Sequence, residues 1–320
     1  SGKRSTLRWK RDALLPAGWI RRAQFAITWL LLVFVAATFI WSSTWVRPVK
    51  PVGLVLIGSG YQRNLLVPHN VGGWRSLQGL AALAHATDTA RHWGSGLLHL
   101  CGDPVDFYHV NDWDSELTGA SERNLVVYFA VHGGSDPQGP YLIPGSSRLQ
   151  SGPMPVLRMA DVFDRLATLP ADQRKILLLD TTNFVAHPVL GMLENDFARD
   201  LIELSPRIEQ VPNLVVICAS GIGQRSWVSE EWRQTIFGHF VVEGFKGGAP
   251  DANNDGRINL AEFFQFVRGN VQRWVQSNRE ACQVPILLPS GAAGTARAAQ
   301  IDLALVHRRY HAPAPHNTPV

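Results

Sequence analysis

The residues that could do chemistry stand where buried, apolar stretches of the chain end. His132 closes the apolar run Asn124–Val131 and is followed directly by Gly133 and Gly134. Glycine lets the backbone turn sharply, so we expect the imidazole to be exposed at the strand end. Histidine is the side chain that most readily moves protons near neutral pH. The position therefore predicts an acid–base group, although a lone histidine here is equally consistent with a structural role.

Further motifs follow His132 in a fixed order. The segment Phe129–Gly133 precedes Pro140–Pro144; after a helical stretch come Ile176–Asp180, then Val215–Ser220 and Gly223–Trp227. This order resembles the caspase-like cysteine peptidases, and in particular the bacterial relatives of metacaspases. The resemblance extends over roughly residues 52–291, and it is carried by the order of the motifs more than by any single one.

The resemblance implies a role for each matching residue. His132 matches the catalytic histidine, which activates the nucleophile and then protonates the leaving amine. Gly133 matches the glycine whose backbone N–H helps to hold the oxyanion. Asp180 matches the acid that helps to bind a basic substrate side chain. The turn that matches part of the substrate-binding wall supplies three more residues: Ser220, Gln224 and Ser226.

The sequence departs from the family where the nucleophile belongs. Thr182 stands where the family has cysteine, and a threonine hydroxyl stays protonated where a thiol ionises. Cys218 lies inside an apolar run and is read as a small buried hydrophobe. Cys101 and Cys282 lie away from the strand ends. The sequence therefore predicts a domain that has lost peptidase activity and retains a peptide-binding cleft.

An acidic segment at residues 251–262 fits the twelve-residue calcium loop of EF-hands. Gly256 takes the sixth position, where the loop turns sharply. No helix runs directly into this loop, because Gly247, Gly248 and Pro250 interrupt it. The alternative is a metal-free turn with a capping box, in which Asn259 is the N-cap and Glu262 lies at N3. The predicted Ca²⁺ ligands are Asp251, Asn253, Asp255, Arg257 (through its carbonyl), Asn259 and Glu262.

The elements that position these residues alternate between apolar strands and helical stretches. Apolar strands are expected at residues 52–57, 124–131, 175–180 and 213–219, with helices between them. Such alternation predicts an α/β fold, a doubly wound and mostly parallel sheet flanked by helices. Function in these folds collects at the carboxyl ends of the strands. The caspase-like peptidases that the motifs resemble have a fold of this α/β class.

The N-terminal part of the chain is basic and then apolar. Seven of its first 22 residues are Lys or Arg against one acid, and residues 23–46 carry no charge. About 20 apolar residues suffice for a transmembrane helix, and Trp29, Trp41 and Trp45 flank the run as interface anchors do. We expect a single-pass membrane protein with a cytoplasmic N-terminus and its soluble domain on the outer face. A signal peptide or a buried core helix is the alternative.

The domain boundaries follow from these segments. We expect a basic tail over 1–22, a transmembrane helix over 23–46, a linker over 47–51, a caspase-like domain over 52–300 and a C-terminal tail over 301–320. Without the first 22 residues the net charge is −2, from 23 basic and 25 acidic residues. A nucleic-acid-binding domain would carry its own basic face, so nucleic acid is not an expected partner.

Three functions remain open from the sequence. The leading hypothesis is a membrane-anchored pseudopeptidase that binds a peptide or protein and contains one Ca²⁺ loop. The second is an active endopeptidase in which His132 works with Thr182 or another nucleophile. The third is a purely structural module stabilised by calcium.

Overall fold

The computed structural model describes residues 17–45, 51–64, 67–89, 98–146, 154–181, 186 and 195–305. The chain forms two compact units, Ser1–Pro48 and Val49–Val320, and each is described by itself. Helix α1 lies in the first unit and all other elements lie in the second. The α-helices of the described residues are α1 (Ala17–Trp45), α2 (Val71–Thr89), α3 (Met159–Ala167), α4 (Phe197–Glu203), α5 (Ser205–Gln210), α6 (Ile236–Glu243), α7 (Leu260–Arg279) and α8 (Gly291–Ala299).

In the described part of the chain, the strands form three sheets, the largest with seven strands. The strands are β1 (Val52–Gly58), β2 (Leu98–Leu100), β3 (Val105–Asp106), β4 (Asn124–Ala130), β5 (His132–Asp136), β6 (Gly139–Ile143), β7 (Leu157–Arg158), β8 (Arg174–Asp180), β9 (Leu214–Cys218), β10 (Arg257–Asn259), β11 (Ile286–Leu288) and β12 (Asp302–Leu305).

The central sheet confirms the predicted α/β class. Its order is β11-β9-β8-β4-β1-β2, with β3 also paired to β1. The β1, β4, β8 and β9 pairings are parallel, and the edge strand β11 is antiparallel to β9. Register pairs Gly58 with Ala130 and Ala130 with Asp180. The carboxyl ends of β1, β4 and β8 therefore meet at one edge of the sheet.

Both faces of this sheet are buried, which explains why its strands are almost continuously apolar. Leu54 and Tyr128 point into a core that includes side chains of α2, α6 and α7. Val55 and Phe129 point into a second core that contains side chains of α3, α4 and α5. Burial of each large apolar side chain contributes about 1.5–3 kcal/mol. These two cores hold the strand ends in place.

A smaller antiparallel sheet begins at His132. Strand β5 pairs with β6, and His132 lies opposite Ile143. Strand β7 adds to the other side of β6. The sequence predicted only an abrupt strand end at His132, yet the chain re-enters extended structure there at once. The histidine is therefore packed between a strand end and a new hairpin.

Helix α6 starts at Ile236, because the Thr235 side chain caps it by accepting from the backbone N–H of Gly238. Strand β12 begins at Asp302, within the segment assigned to the C-terminal tail, and pairs with β10. The domain thus continues past residue 300.

The membrane prediction is wrong. Crossing the hydrocarbon core takes about 20 consecutive apolar residues in a helix. Among the residues that the structure describes, no helix has the length and apolar character for this. This corrects the single-pass assignment of residues 23–46, and with it the cytoplasmic N-terminus and the outer-face domain.

Candidate functional site

His132 is buried at the carboxyl edge of the central sheet, with 2 % of its surface exposed. This corrects the expectation of an exposed imidazole. Its Nε2 atom lies 2.7 Å from the carbonyl oxygen of Pro68. A carbonyl oxygen only accepts, so Nε2 carries the proton. In the neutral ring, Nδ1 is then the acceptor, as a general base requires.

Tyr61 holds the histidine from the other side, and sequence reasoning missed it. The two rings stack with centroids 4.6 Å apart. The Tyr61 hydroxyl accepts from the backbone N–H of His132 at 2.9 Å and donates to the carbonyl of Ile143 at 2.5 Å. Burial raises the pKa of Tyr61 above its usual value, so the hydroxyl stays a donor. The signal for it is its place shortly after the expected strand at residues 52–57, because function in these folds collects at strand ends.

Gly133 is required by close packing. A Cβ atom here would lie 2.9 Å from the ring of Phe197. Its backbone N–H donates to the carbonyl of Thr181 at 2.8 Å. The N–H that the family resemblance assigns to an oxyanion is therefore used to join β5 to the end of β8. Thr182, the degenerate nucleophile position, lies outside the described residues and follows directly on Thr181.

Asp180 is enclosed completely, with 0 % of its surface exposed. Its carboxylate accepts from the hydroxyls of Tyr128 at 2.9 Å and Ser226 at 3.0 Å, and from the Thr235 hydroxyl. Burial raises the pKa of Asp180, while the three hydroxyl donors oppose that shift. The resemblance predicts that this acid contacts a substrate. In the structure, the hydrogen bonds of Asp180 instead connect the end of β8 to β4 and to the residue that caps α6.

The predicted substrate wall is a turn fixed by its own side chains. The Ser220 hydroxyl donates to the carbonyl of Gln224 at 3.3 Å. The Gln224 side-chain oxygen accepts from the backbone N–H of Gly221 at 3.3 Å and of Val284 at 2.7 Å. Ser226 donates to Asp180 at 3.0 Å. These residues are thus brought to the same edge as His132, where they shape the turn.

An open cavity of about 290 Å³ lies next to Tyr61. Its walls carry three aromatic rings, Tyr61, Trp74 and Tyr108, and its charged groups are Asp106 and Arg63. Partial burial raises the pKa of Asp106, the nearby charge of Asp112 adds to this rise, and Arg63 opposes it. Because Tyr61 stacks on His132, the cavity and the histidine share one wall.

The three cysteines are placed away from this geometry. Cys218 lies inside β9 with 0 % exposed, and burial raises its pKa to about 12. Cys101 donates to the Glu122 carboxylate at 3.3 Å, and burial together with this acid raises its pKa to about 12. Neither thiol is a ready nucleophile, because only the thiolate attacks. Cys282 is exposed.

The acidic loop belongs to a different part of the domain, between α6 and α7. The Asp251 carboxylate accepts from the backbone N–H groups of Asp255 at 3.1 Å and Gly256 at 2.9 Å. The Glu262 carboxylate accepts from Ala252 at 2.9 Å and Asn259 at 3.0 Å. The capping box of the metal-free alternative is therefore present.

The remaining predicted ligands also take part in the loop. Asn253 donates to the Asp255 carboxylate at 3.1 Å, which in turn accepts from the Arg257 backbone N–H at 2.9 Å. Among the described residues, no group of three His, Cys, Asp or Glu side chains is arranged to hold a metal ion. Each carboxylate has about four lone-pair positions, so the loop keeps spare acceptors. Calcium binding stays a prediction.

Comparison with known proteins finds a structural likeness without a sequence match. No protein-family model and no curated protein matches the chain. Among solved structures, the chain is similar to caspase-1 from Spodoptera frugiperda, with 11 % identity and a TM-score of 0.48. That similarity covers 83 % of this chain and 93 % of the other. The sheet itself is mostly parallel with helices on both faces, which is the α/β class that the sequence predicts.

Proposed function

We propose that the domain binds a peptide segment at the carboxyl edge of the sheet, beside His132, without cleaving it. The observation that supports this most is the shared wall: Tyr61 stacks on His132 and also lines the open cavity. Pro68 orients the imidazole from the opposite side. A rigid histidine beside a cavity with aromatic walls suits recognition of a peptide side chain.

The absence of hydrolysis is inferred from the nucleophile. The family resemblance places Thr182 at that position, and a threonine hydroxyl needs a strong base to attack. Cys101 and Cys218 both have pKa values raised to about 12, so neither supplies a thiolate near neutral pH. We therefore infer that the domain keeps a cleft for a peptide but does not hydrolyse peptide bonds.

The cavity lining favours a cationic side chain. Trp74 and Tyr108 offer ring faces that attract a cation, and Asp106 offers a carboxylate. The raised pKa of Asp106 indicates a carboxyl group that a bound cation would stabilise in its charged form. Arg63 lies at the same cavity and offsets part of this attraction. We therefore infer a peptide segment that places Lys or Arg here.

Calcium binding at residues 251–262 is proposed as a second, stabilising property. The loop already has its turn and its capping box from internal hydrogen bonds. A calcium ion would use carboxylate oxygens of Asp251, Asp255 and Glu262, with the Arg257 carbonyl. Its role would be to hold the start of α7, far in sequence from His132.

The binding proposal is tested by panning the full chain against a displayed library of random peptides. We expect enrichment of Lys or Arg at one position, and loss of capture for Tyr61→Ala and for Asp106→Asn. Asp103→Asn, an exposed acid three residues before Asp106, is the matched control and should bind as the unchanged chain does. Capture of no peptide, or capture unaffected by both site variants, would contradict the proposal.

A further inference from the structure

A second cavity lies between α7, α8 and the acidic loop. Its volume is about 400 Å³, within the range of about 300–1,000 Å³ that is usual for ligand pockets in proteins. Its apolar walls are formed by Pro250, Ala252, Ala261, Phe266 and Gly269. None of these elements contributes a residue to the cavity beside Tyr61. The two cavities are therefore separate sites.

Gly269 keeps part of this cavity open. It lies in the interior of the 20-residue helix α7, where glycine destabilises the fold relative to alanine. In α6, packing explains a helical glycine, because a Cβ atom on Gly238 would collide with the Ser76 side chain. A Cβ atom on Gly269 would meet no atom of the described residues within 4 Å. The space beside Gly269 is therefore room that a ligand could fill.

Phe266 provides an aromatic surface beside this space. It precedes Gly269 by three positions on α7, so both residues lie on one face of the helix. The Phe266 side chain is half-buried, and its ring packs edge-on against the Phe240 ring of α6 with centroids 6.4 Å apart. This contact fixes the ring. A fixed aromatic ring beside an open space lets an apolar ligand bury its surface.

Arg273 supplies a cation further along α7, at the same cavity. Its guanidinium donates to the Asn270 side-chain oxygen at 3.1 Å, and Asn270 donates to the backbone carbonyl of Phe266 at 2.8 Å. Asn270 therefore orients the guanidinium. Among the described residues no acid pairs with Arg273, whereas Arg257 pairs with Asp302 at 2.7 Å. Most of the five guanidinium donors of Arg273 are thus available to an anion.

The acid of the cavity lies towards its other end. Glu262 and Arg273 are eleven residues apart on α7, which is about 16 Å along the helix axis. The Glu262 carboxylate accepts from the backbone N–H groups of Ala252 at 2.9 Å and Asn259 at 3.0 Å, so it is held in the acidic loop. Its negative charge disfavours an anion at this end. The cavity therefore suits a ligand with its anion at Arg273 and its apolar part towards the loop.

We propose that this cavity binds a small apolar carboxylate of the medium-chain fatty acid class. The carboxylate accepts from the Arg273 guanidinium, which is a charge-assisted hydrogen bond. The alkyl chain lies over Gly269 and Phe266, where it leaves water. This binding is independent of the proposed peptide binding, because the two cavities share no residue.

The site is tested by calorimetric titration of the full chain with octanoate, below the concentration at which octanoate forms micelles. A chelator is present, so that calcium at the acidic loop does not contribute. Octanol is the uncharged comparison with the same chain, and acetate is the carboxylate without the chain. We expect saturable binding of octanoate, and binding about tenfold weaker or more for octanol and for acetate.

Three variants locate the ligand. Gly269→Leu introduces a good helix former that fills the cavity, so it should raise the melting temperature by about 2 °C and abolish octanoate binding. Arg273→Gln should weaken octanoate about tenfold and leave octanol unchanged. Arg268→Gln, at an exposed residue of α7 outside the cavity, is the control and should leave every titration unchanged.

Equal binding of octanoate and octanol, octanoate binding retained in Gly269→Leu, or no binding of octanoate would overturn the proposal. Sedimentation tests the alternative that a second copy of the chain covers the cavity. A dimer that Gly269→Arg converts to a monomer would also overturn the proposal, whereas we expect the same sedimentation for the unchanged chain and this variant.

Discussion

The Tyr61 hydroxyl joins two strands of the small sheet: it accepts from the backbone of His132 and donates to the backbone of Ile143. One phenol therefore fixes the position from which the histidine side chain extends. The same ring stacks on the imidazole and lines the cavity. Tyr61 therefore contributes to the stability of this site, and in the proposed function it also contributes to ligand recognition.

Tyr61→Phe is expected to lower the free energy of unfolding by about 1–3 kcal/mol, because a buried N–H and a buried carbonyl lose their partner. The ring, and with it the stack on His132, is retained. Chemical denaturation of the two proteins measures the difference. Tyr108→Phe, which lines the same cavity and is half-buried, should change stability by less than about 0.5 kcal/mol. Equal effects of the two variants would contradict the assigned role of the Tyr61 hydroxyl.

Asp180 predicts a specific pH dependence of stability. Burial raises its pKa in the folded protein above the value of about 3.9 in an unfolded chain. The folded protein therefore holds this proton more tightly. The stability from this group is fully present below pH ~3.9 and is lost as pH rises through the folded pKa. Asp180→Asn cannot titrate and should lack this slope.

The slope is measured by urea denaturation at a series of pH values upward from about 3.5. The stability of the unchanged protein relative to Asp180→Asn should decline as pH rises through this window. Asp103→Asn, at an exposed acid, should keep the slope. A constant difference between the unchanged protein and Asp180→Asn across the window would show that the buried carboxyl does not titrate as described.

The cysteines should differ sharply in reactivity. A thiol with a pKa near 12 is ionised in only about one molecule in 10⁴ at pH 8, which applies to Cys101 and Cys218. Cys282 is exposed. Native protein treated with iodoacetamide should therefore be labelled quickly at Cys282 and slowly at the other two. Peptide mass spectrometry reads each site, and rapid labelling of Cys218 would contradict the described burial of β9.

Calcium should stabilise the domain through the loop at residues 251–262. We expect a rise in melting temperature on adding Ca²⁺, since an ion bound only to the folded state shifts the equilibrium towards it. Asp251→Asn together with Glu262→Gln should abolish the rise. Asp302→Asn, which removes the partner of Arg257 at 2.7 Å, is the control and should keep it. An identical rise in the double variant would show that calcium acts elsewhere.

The sequence predicted the long central strands of the sheet well and its short strands less well. Strands β1, β4, β8 and β9 are buried on both faces, so their apolar runs are unambiguous. Strands β2, β3 and β11 have two or three residues each and only form by pairing with a longer neighbour. Their presence is set by tertiary contact, which a local pattern does not contain.

The candidate site was predicted in part. His132 was identified from its strand end, yet its burial follows from Tyr61 and Pro68, which lie far from it in the sequence. Asp180 was predicted to contact a substrate because it matches the acid that binds a basic side chain in the family that the motifs resemble. Its three hydroxyl partners come from separate elements, so only the folded chain shows that the carboxylate is enclosed.

In the proposed function, the domain binds a peptide segment and does not hydrolyse it. The most direct test incubates a peptide captured by the full chain with the unchanged protein, His132→Ala and Thr182→Ala, with and without Ca²⁺, and follows it by mass spectrometry. We expect an intact peptide in all samples and weaker capture by His132→Ala, because that variant loses the stack on Tyr61. Cleavage by the unchanged protein that disappears in both His132→Ala and Thr182→Ala would rule out binding without hydrolysis and make the domain a threonine-dependent peptidase.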